Sequence, residues 1–176
     1  FNGATYTYNK MAQGVTVTSA VSQHGVVLSV VYAGGETYTS DAIVGKNASV
    51  NAGEYSITAT IENANYLTFT KTVALVINKA DISGVTLTSQ SFEYDKTPKA
   101  LAVNTLVTTL GEAINVSYTI NGEAGNSATN VGEYDVVATL NAGSNYIAKE
   151  LTAKLTITAR AITISWNNLQ ANVGVY

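Results

Sequence analysis

The 176-residue chain contains no cysteine, one proline, one histidine and one tryptophan. Without cysteine there can be no disulfide stapling, no thiol nucleophile and no zinc–thiolate site. The lack is compatible with the cytosol and equally with surface proteins of bacteria that avoid disulfides. Charge is also scarce: Asp, Glu, Lys and Arg make up 12% of residues, with nine bases against twelve acids for a net charge of −3. Bases this few and scattered form no stripe that could neutralise phosphates or anionic lipid, so neither nucleic acid nor a membrane surface is an expected partner. No apolar run approaches the roughly 18 residues that span a bilayer. The best, Gly25–Tyr32 (GVVLSVVY), is strand-length and broken by Ser29, so membrane insertion is not expected. Residue 1 is Phe with no leader-like segment behind it, and the chain reads as part of something longer whose signal and anchor lie elsewhere.

What is present is 46% hydrophobic residues, enough to bury a core, and one pattern written twice. NAGEYSITATIENANY (residues 51–66) returns as NVGEYDVVATLNAGSNY (130–146). YTYNKMAQGVTVTSAV (6–21) matches FEYDKTPKALAVNTLV (92–107), and VALVINKADI (73–82) matches AKLTITARAI (153–162), in the same order. Self-similarity at a period near 80 residues marks tandem units. We therefore expect a first repeat over residues 1–80 and a second over 81–160, with 161–176 as the start of a third or a closing strand.

Inside each copy the apolar period is two. Tyr55, Ile57, Ala59 and Ile61 alternate with Ser56, Thr58 and Thr60, and Leu151, Ala153, Leu155 and Ile157 alternate with Thr152, Lys154 and Thr156. This is the pattern of half-buried strands, and Val, Ile, Thr and Tyr suit a pleated surface. Asn/Gly clusters such as Asn121–Glu123 punctuate the strands. Several short strands per 80 residues predict an all-β chain of two tandem antiparallel β-sandwich domains with Ig-like proportions. The alternative is a β-grasp-like repeat with one short helix around Leu106–Gly111. The link Ile77–Ile82 (INKADI) contains no Pro, Gly or Ser spacer, which predicts an elongated rod in which neighbouring repeats are each other's partners.

The openings YNK and YDKTPK, the N-x-G-E-Y strand start, the following NY and the closing L-x-I strand resemble the tandem YDG/MBG-type repeats of bacterial cell-surface and adhesin-like proteins. The resemblance covers nearly the whole chain. It implies secretion, a bacterial cell-surface setting and no assigned activity for the repeat itself. The sequence departs from the family at Lys10 and Lys96, where the family typically has Gly, so the first turn is expected to differ.

Candidate chemistry is thin. His24 sits in a polar turn (SQHG) without a nucleophile beside it, the acids are spread singly, and no calcium-loop or phosphate-loop spacing occurs, so neither catalysis nor a cofactor is expected. An incidental ion in one turn, or at the repeat junction near Asp81, is the most these dilute acids could hold. Lys10, Asn51 and Glu54 recur as Lys96, Asn130 and Glu133, and Lys, Asn and a neutral carboxyl are the ingredients of an intramolecular isopeptide cross-link, provided that they are buried together. Tyr32, Tyr38 and Trp166 lack the alternation that assigns other tyrosines to the core, which makes them the candidates for contact with a glycan or a host or matrix protein. The sequons at Asn47 and Asn115 matter only in a glycosylating pathway. The expectation is a monomeric, non-catalytic stalk repeat, with an adhesion module as the alternative.

Overall fold

The alternation of apolar and hydroxyl residues becomes pleated strand in the computed structural model, which describes residues 1–165. The first repeat contains β1 (Ala4–Thr7), β2 (Gln13–Gly14), β3 (Val30–Ala33), β4 (Val44–Gly45), β5 (Ala48–Ser49), β6 (Gly53–Asn63) and β7 (Tyr66–Asn78). A short β8 (Ala80–Asp81) occupies the link. The second repeat contains β9 (Gln90–Glu93), β10 (Lys99–Ala100), β11 (Asn115–Ile120), β12 (Glu123–Ala124), β13 (Ser127–Ala128), β14 (Gly132–Asn141), β15 (Tyr146–Ile147) and β16 (Lys149–Thr158).

Each repeat is a five-stranded sheet faced by a two-stranded one, a small sandwich of Ig-like proportions. The orders are β1-β7-β6-β3-β4 with β2-β5, then β12-β11-β14-β16-β9 with β10-β13. The central pairs are antiparallel, as the short connections require. The first strand of each repeat joins the last in parallel, β1 on β7 and β9 on β16. Period two places Ile57 and Ala59 of β6 and Leu75 and Ile77 of β7 on one buried face. In the second repeat Val136, Ala138 and Leu140 of β14 and Leu155 and Ile157 of β16 do the same.

No helix occurs among the described residues, and the β-grasp alternative is corrected at Leu106–Gly111. That stretch is a tight turn: Gly111 N–H donates to Thr108 O and Thr108 N–H to Glu112 O, with Val107 bridged to Ala113. Gly111 has φ +81°, which glycine alone adopts at no steric cost, and β-branched residues around it disfavour helix. The first repeat builds the same turn at Ser22–Val26, with Gly25 at φ +77°.

The apolar core does not stop at the link. One contiguous cluster runs from Tyr32, Ile57, Leu75 and Ile77 through Ala80, Ile82 and Val85 to Ile114, Leu140 and Tyr146. A second, smaller cluster of Leu101, Val136 and Leu155 fills the far half of the second repeat. The break between the two clusters therefore falls within the second repeat, and not at the link.

Candidate functional site at the joint between the repeats

Four backbone and side-chain features lock the link into the second repeat. β8 runs parallel to β15, with Ala80 opposite Tyr146 and Asp81 opposite Ile147. Ala80 N–H donates to Asn145 O at 2.9 Å, and Lys149 Nζ donates to Ile82 O at 3.0 Å. Ile82 is 1% exposed, so the whole side chain contributes burial, worth roughly 2–3 kcal/mol. From the first repeat, Ala52 N–H donates to Asn145 Oδ1 at 2.9 Å, while Asn145 Nδ2 donates to Asn51 Oδ1 at 3.2 Å.

At the centre lies a polar cluster made by both repeats. The rings of Tyr8 and Tyr146 meet edge to face, 5.6 Å between centroids, a geometry favoured by the aromatic quadrupole. Tyr8 Oη donates to Glu112 Oε1 at 2.8 Å, and Lys10 Nζ donates to Leu110 O at 3.2 Å. Thr108 Oγ1 receives Glu112 N–H at 3.0 Å and is paired with the Tyr146 hydroxyl at 3.1 Å. Glu112 Oε2 is buried without a hydrogen-bond partner. The Tyr146 and Tyr8 hydroxyls, with Lys10 beyond them, hold the Glu112 carboxyl below its usual range although burial works in the opposite direction. Burial and then the Glu112 carboxylate push both tyrosines upward. The arrangement keeps Glu112 ionised and both phenols neutral across the ordinary pH range.

The recurring N-x-G-E-Y motif has a local explanation. Tyr55 Oη donates to Asn51 O at 3.0 Å and Tyr134 Oη to Asn130 O at 2.9 Å, each closing a loop of four residues. The ring lies across the glycine two residues before it: a Cβ on Gly53 or Gly132 would stand 3.2–3.3 Å from the tyrosine, tighter than ordinary contact. A side chain at either glycine would press on the ring, and the tyrosine hydroxyl is held by the Asn carbonyl. The opening motif also keeps its geometry. Lys10 and Lys96 take φ +69° and +68°, the left-handed conformation natural to glycine, while Asn9 Oδ1 accepts Met11 N–H and Asp95 Oδ1 accepts Thr97 N–H, each at 2.9 Å. Both repeats thus build the same left-handed turn on a lysine.

Two repeats that share the opening turn, the tyrosine loop and the order of their long strands are also matched one by one in comparison. The MBG domain family matches residues 1–81 and again residues 83–161. The chain belongs to the MBG domain family. No match was found among curated proteins. Among solved structures the MBG chain is similar to the fibronectin(III)-like modules of Clostridium thermocellum CbhA, at 14% identity, with 94% of this chain and 95% of that one covered and a TM-score of 0.30. It is similar also to human protocadherin-24 EC1-2, at 10% identity, 90% and 95% coverage and a TM-score of 0.38. Drosophila N-cadherin EC1-4 matches at 9% identity over 89% of the MBG chain and 48% of its own length, with a TM-score of 0.34.

The isopeptide triads are not assembled in either MBG repeat. Lys10, Asn51 and Glu54 are all exposed; the amine of Lys10 goes to Leu110 O, and Asn51 faces Asn145 and Glu36. Lys96, Asn130 and Glu133 are exposed as well, and Glu133 pairs with Lys154 at 3.1 Å and not with Lys96. Tyr32 is corrected from candidate platform to core. It is 5% exposed, stands opposite Ala59 and accepts Val17 N–H on its hydroxyl at 2.7 Å. Tyr38 is exposed, and Trp166 lies outside the described residues. His24 is exposed in its turn, and Asp81 is exposed in β8. Asn47 is fully buried, its amide donating to Val15 O and Thr39 Oγ1, so the folded chain cannot present that sequon.

Sequence reasoning missed Glu112, Thr108, Asn145 and Ile82 as one constellation. Glu112 offers no recurring signal, because its counterpart in the first MBG repeat is Val26. That mismatch, a lone carboxylate replacing an apolar residue in an otherwise matched turn, was the available clue.

Proposed function

We propose that the chain is a non-catalytic spacer of a secreted bacterial surface protein, its repeats stacked to hold another region away from the cell. The observation that carries this reading is the apolar cluster that runs uninterrupted through the link, with Ala80, Ile82 and Val85 buried where a flexible linker would be solvated. A joint with its own core and its own hydrogen bonds resists bending, as a spacer must. The bacterial surface setting draws on the resemblance of the repeats to those of cell-surface proteins.

Small-angle scattering tests the proposal. A spacer gives a maximum dimension well above that of a compact sphere of the same mass and one narrow distribution of shapes. A globular profile, or a broad distribution in the unmodified chain, removes the spacer reading. The second reading, an adhesion module, is favoured by exposed Leu67 and Phe69. Saturable binding of the chain to one class on a glycan and matrix-protein array would establish it, and a blank array would dismiss it.

A further inference from the structure

The first and last strands of each repeat lie side by side and point the same way. In the first repeat Ala4, Thr5, Tyr6 and Thr7 of β1 stand opposite Leu75, Val76, Ile77 and Asn78 of β7, and Tyr8 N–H adds a bond to Asn78 O at 2.9 Å. In the second, Gln90–Glu93 of β9 stand opposite Leu155–Thr158 of β16, and Tyr94 N–H donates to Thr158 O at 2.9 Å. Side chains lengthen this second ladder: Ser89 Oγ accepts Lys154 N–H at 2.9 Å, and Thr158 Oγ1 donates to Phe92 O at 3.2 Å. One face of each ladder is sealed, because Leu75, Ile77, Leu155 and Ile157 are each at most 2% exposed.

This pairing fixes how a pull along the chain is resisted. The backbone enters each repeat at the start of its first strand and leaves at the end of its last, so tension draws β1 toward its own N-terminal side and β7 toward its own C-terminal side. Parallel neighbours drawn in opposite senses slide past each other, and every bond of the ladder carries the load at once. An antiparallel pair would place entry and exit at one end, and its bonds would open singly. Gly3 stands where the tension arrives: a Cβ there would lie 2.5 Å from Ala74 O, so β1 approaches β7 closely at that point. The link continues the same edge in the second repeat. Ala80 is opposite Tyr146 in the parallel pair β8 and β15, Gln90 is opposite Leu155, a slip of one residue, and Lys149 Nζ holds Ile82 O between them. A pull that leaves the first repeat is therefore met in the same sliding geometry.

We propose that the chain bears tension, with the β1–β7 and β9–β16 ladders acting as shear clamps and the β8–β15 ladder as a third between them. Rupture of such a clamp breaks several hydrogen bonds in one step while the apolar face still excludes water, so unfolding under load stays slow until the pull is high. The inference goes beyond the spacer reading, because resistance to bending depends on the core of the joint, whereas resistance to stretching depends on strand direction. It holds whatever lies before residue 1 or after residue 176, since tension reaches each strand through the covalent backbone.

Single-molecule stretching of the full chain tests it, and the absence of cysteine lets the attachment points be chosen by substitution. Asn2→Cys with Lys79→Cys loads the first clamp in the sliding direction, whereas Asn2→Cys with Lys71→Cys peels the same two strands apart from one end. All three residues are exposed, so both chains should keep the thermal midpoint of the unmodified one. At one pulling rate the sliding pair should rupture at a force at least about twofold above that of the peeling pair, because the same bonds are loaded together rather than singly. Adding Gly3→Val to the sliding pair forces β1 off β7 at the loaded end and should bring its rupture force down toward the peeling value. Equal forces in the two directions, a peeling force above the sliding one, or a rupture force untouched by Gly3→Val overturns the clamp. If Gly3→Val does not fold, the two directions decide alone, and none of these outcomes bears on the scattering profile that tests the spacer.

Discussion

Tyr8 belongs to the first repeat, yet its ring and hydroxyl end in the second, against Tyr146 and Glu112. Replacing Tyr8 with Ala should therefore weaken a repeat in which the residue does not reside. The side chain is 6% exposed, and removing a buried aromatic costs about 3 kcal/mol or more. Loss of its hydroxyl removes the 2.8 Å bond to Glu112 Oε1, which adds about 1 kcal/mol, the low end for a charged acceptor because Glu112 is only half-buried. We expect about 4 kcal/mol for Tyr8→Ala and about 1–1.5 kcal/mol for Tyr8→Phe, which keeps the ring contact and loses only the donor. Denaturant unfolding gives the totals, and hydrogen exchange resolved by peptide locates them. Protection should fall across residues 105–114 and 141–147 in the second repeat as well as around Tyr8. If exchange in those segments is unchanged while the first repeat alone is weakened, the two cores are not coupled and the joint is a contact without energetic consequence.

Three further outcomes follow from the geometry. Lys96→Gly should leave stability unchanged or raise it by up to about 1 kcal/mol, because relief of a left-handed lysine is set against the extra chain entropy of glycine; a loss beyond 1 kcal/mol in thermal or urea unfolding would show that the lysine side chain holds the turn. Gly45→Ala should cost about 3 kcal/mol or abolish the fold of the first repeat, since Gly45 has φ +86° and a Cβ there would fall on the Tyr32 carbonyl where β4 pairs with β3; near-normal expression and unfolding would refute the close approach. For pH, Glu112 has a lowered pKa in the folded state, so its contribution is present above the ordinary carboxyl pKa and lost as pH falls through the lower folded value. Tyr8 and Tyr146 have raised values, so theirs is present below the ordinary phenol pKa and lost as pH rises through the higher folded values. Stability of the unmodified chain should thus form a plateau bounded by both edges, and Glu112→Gln should flatten the acid edge; an unchanged acid edge in that variant would remove Glu112 from the account.

The strands were readable because period two survives in every long one: Ile57 and Ala59, or Val136, Ala138 and Leu140, declare their buried face by spacing alone. Tyr32 was not readable, because β3 is only four residues long and a tyrosine hydroxyl that takes Val17 N–H looks, in sequence, like any exposed phenol. The N-x-G-E-Y repeat was visible and suggested chemistry, since Lys, Asn and Glu recur together. Recurrence of that kind cannot separate a shared reaction from a shared turn. Burial decides, and all six residues are exposed.

The joint escaped for a different reason, and that reason bears on how tandem repeats stay in order. A search for self-similarity finds what two copies have in common, whereas the inner joint depends on what they do not share: Glu112 against Val26, and Lys149 against Phe69. Glu112 gives Tyr8 a charged acceptor and Lys149 gives Ile82 O a donor, so the inner joint is polar at its heart. In the first repeat Val26 and Phe69 stand at these two positions, which therefore carry no charge there. A charged acceptor demands its donor and penalises an apolar arrival, because an unpaired buried carboxylate is costly; an apolar socket tolerates any side chain that fills it. The inner joint therefore selects its arrangement by charge as well as by apolar area, and Glu112 ties its strength to pH.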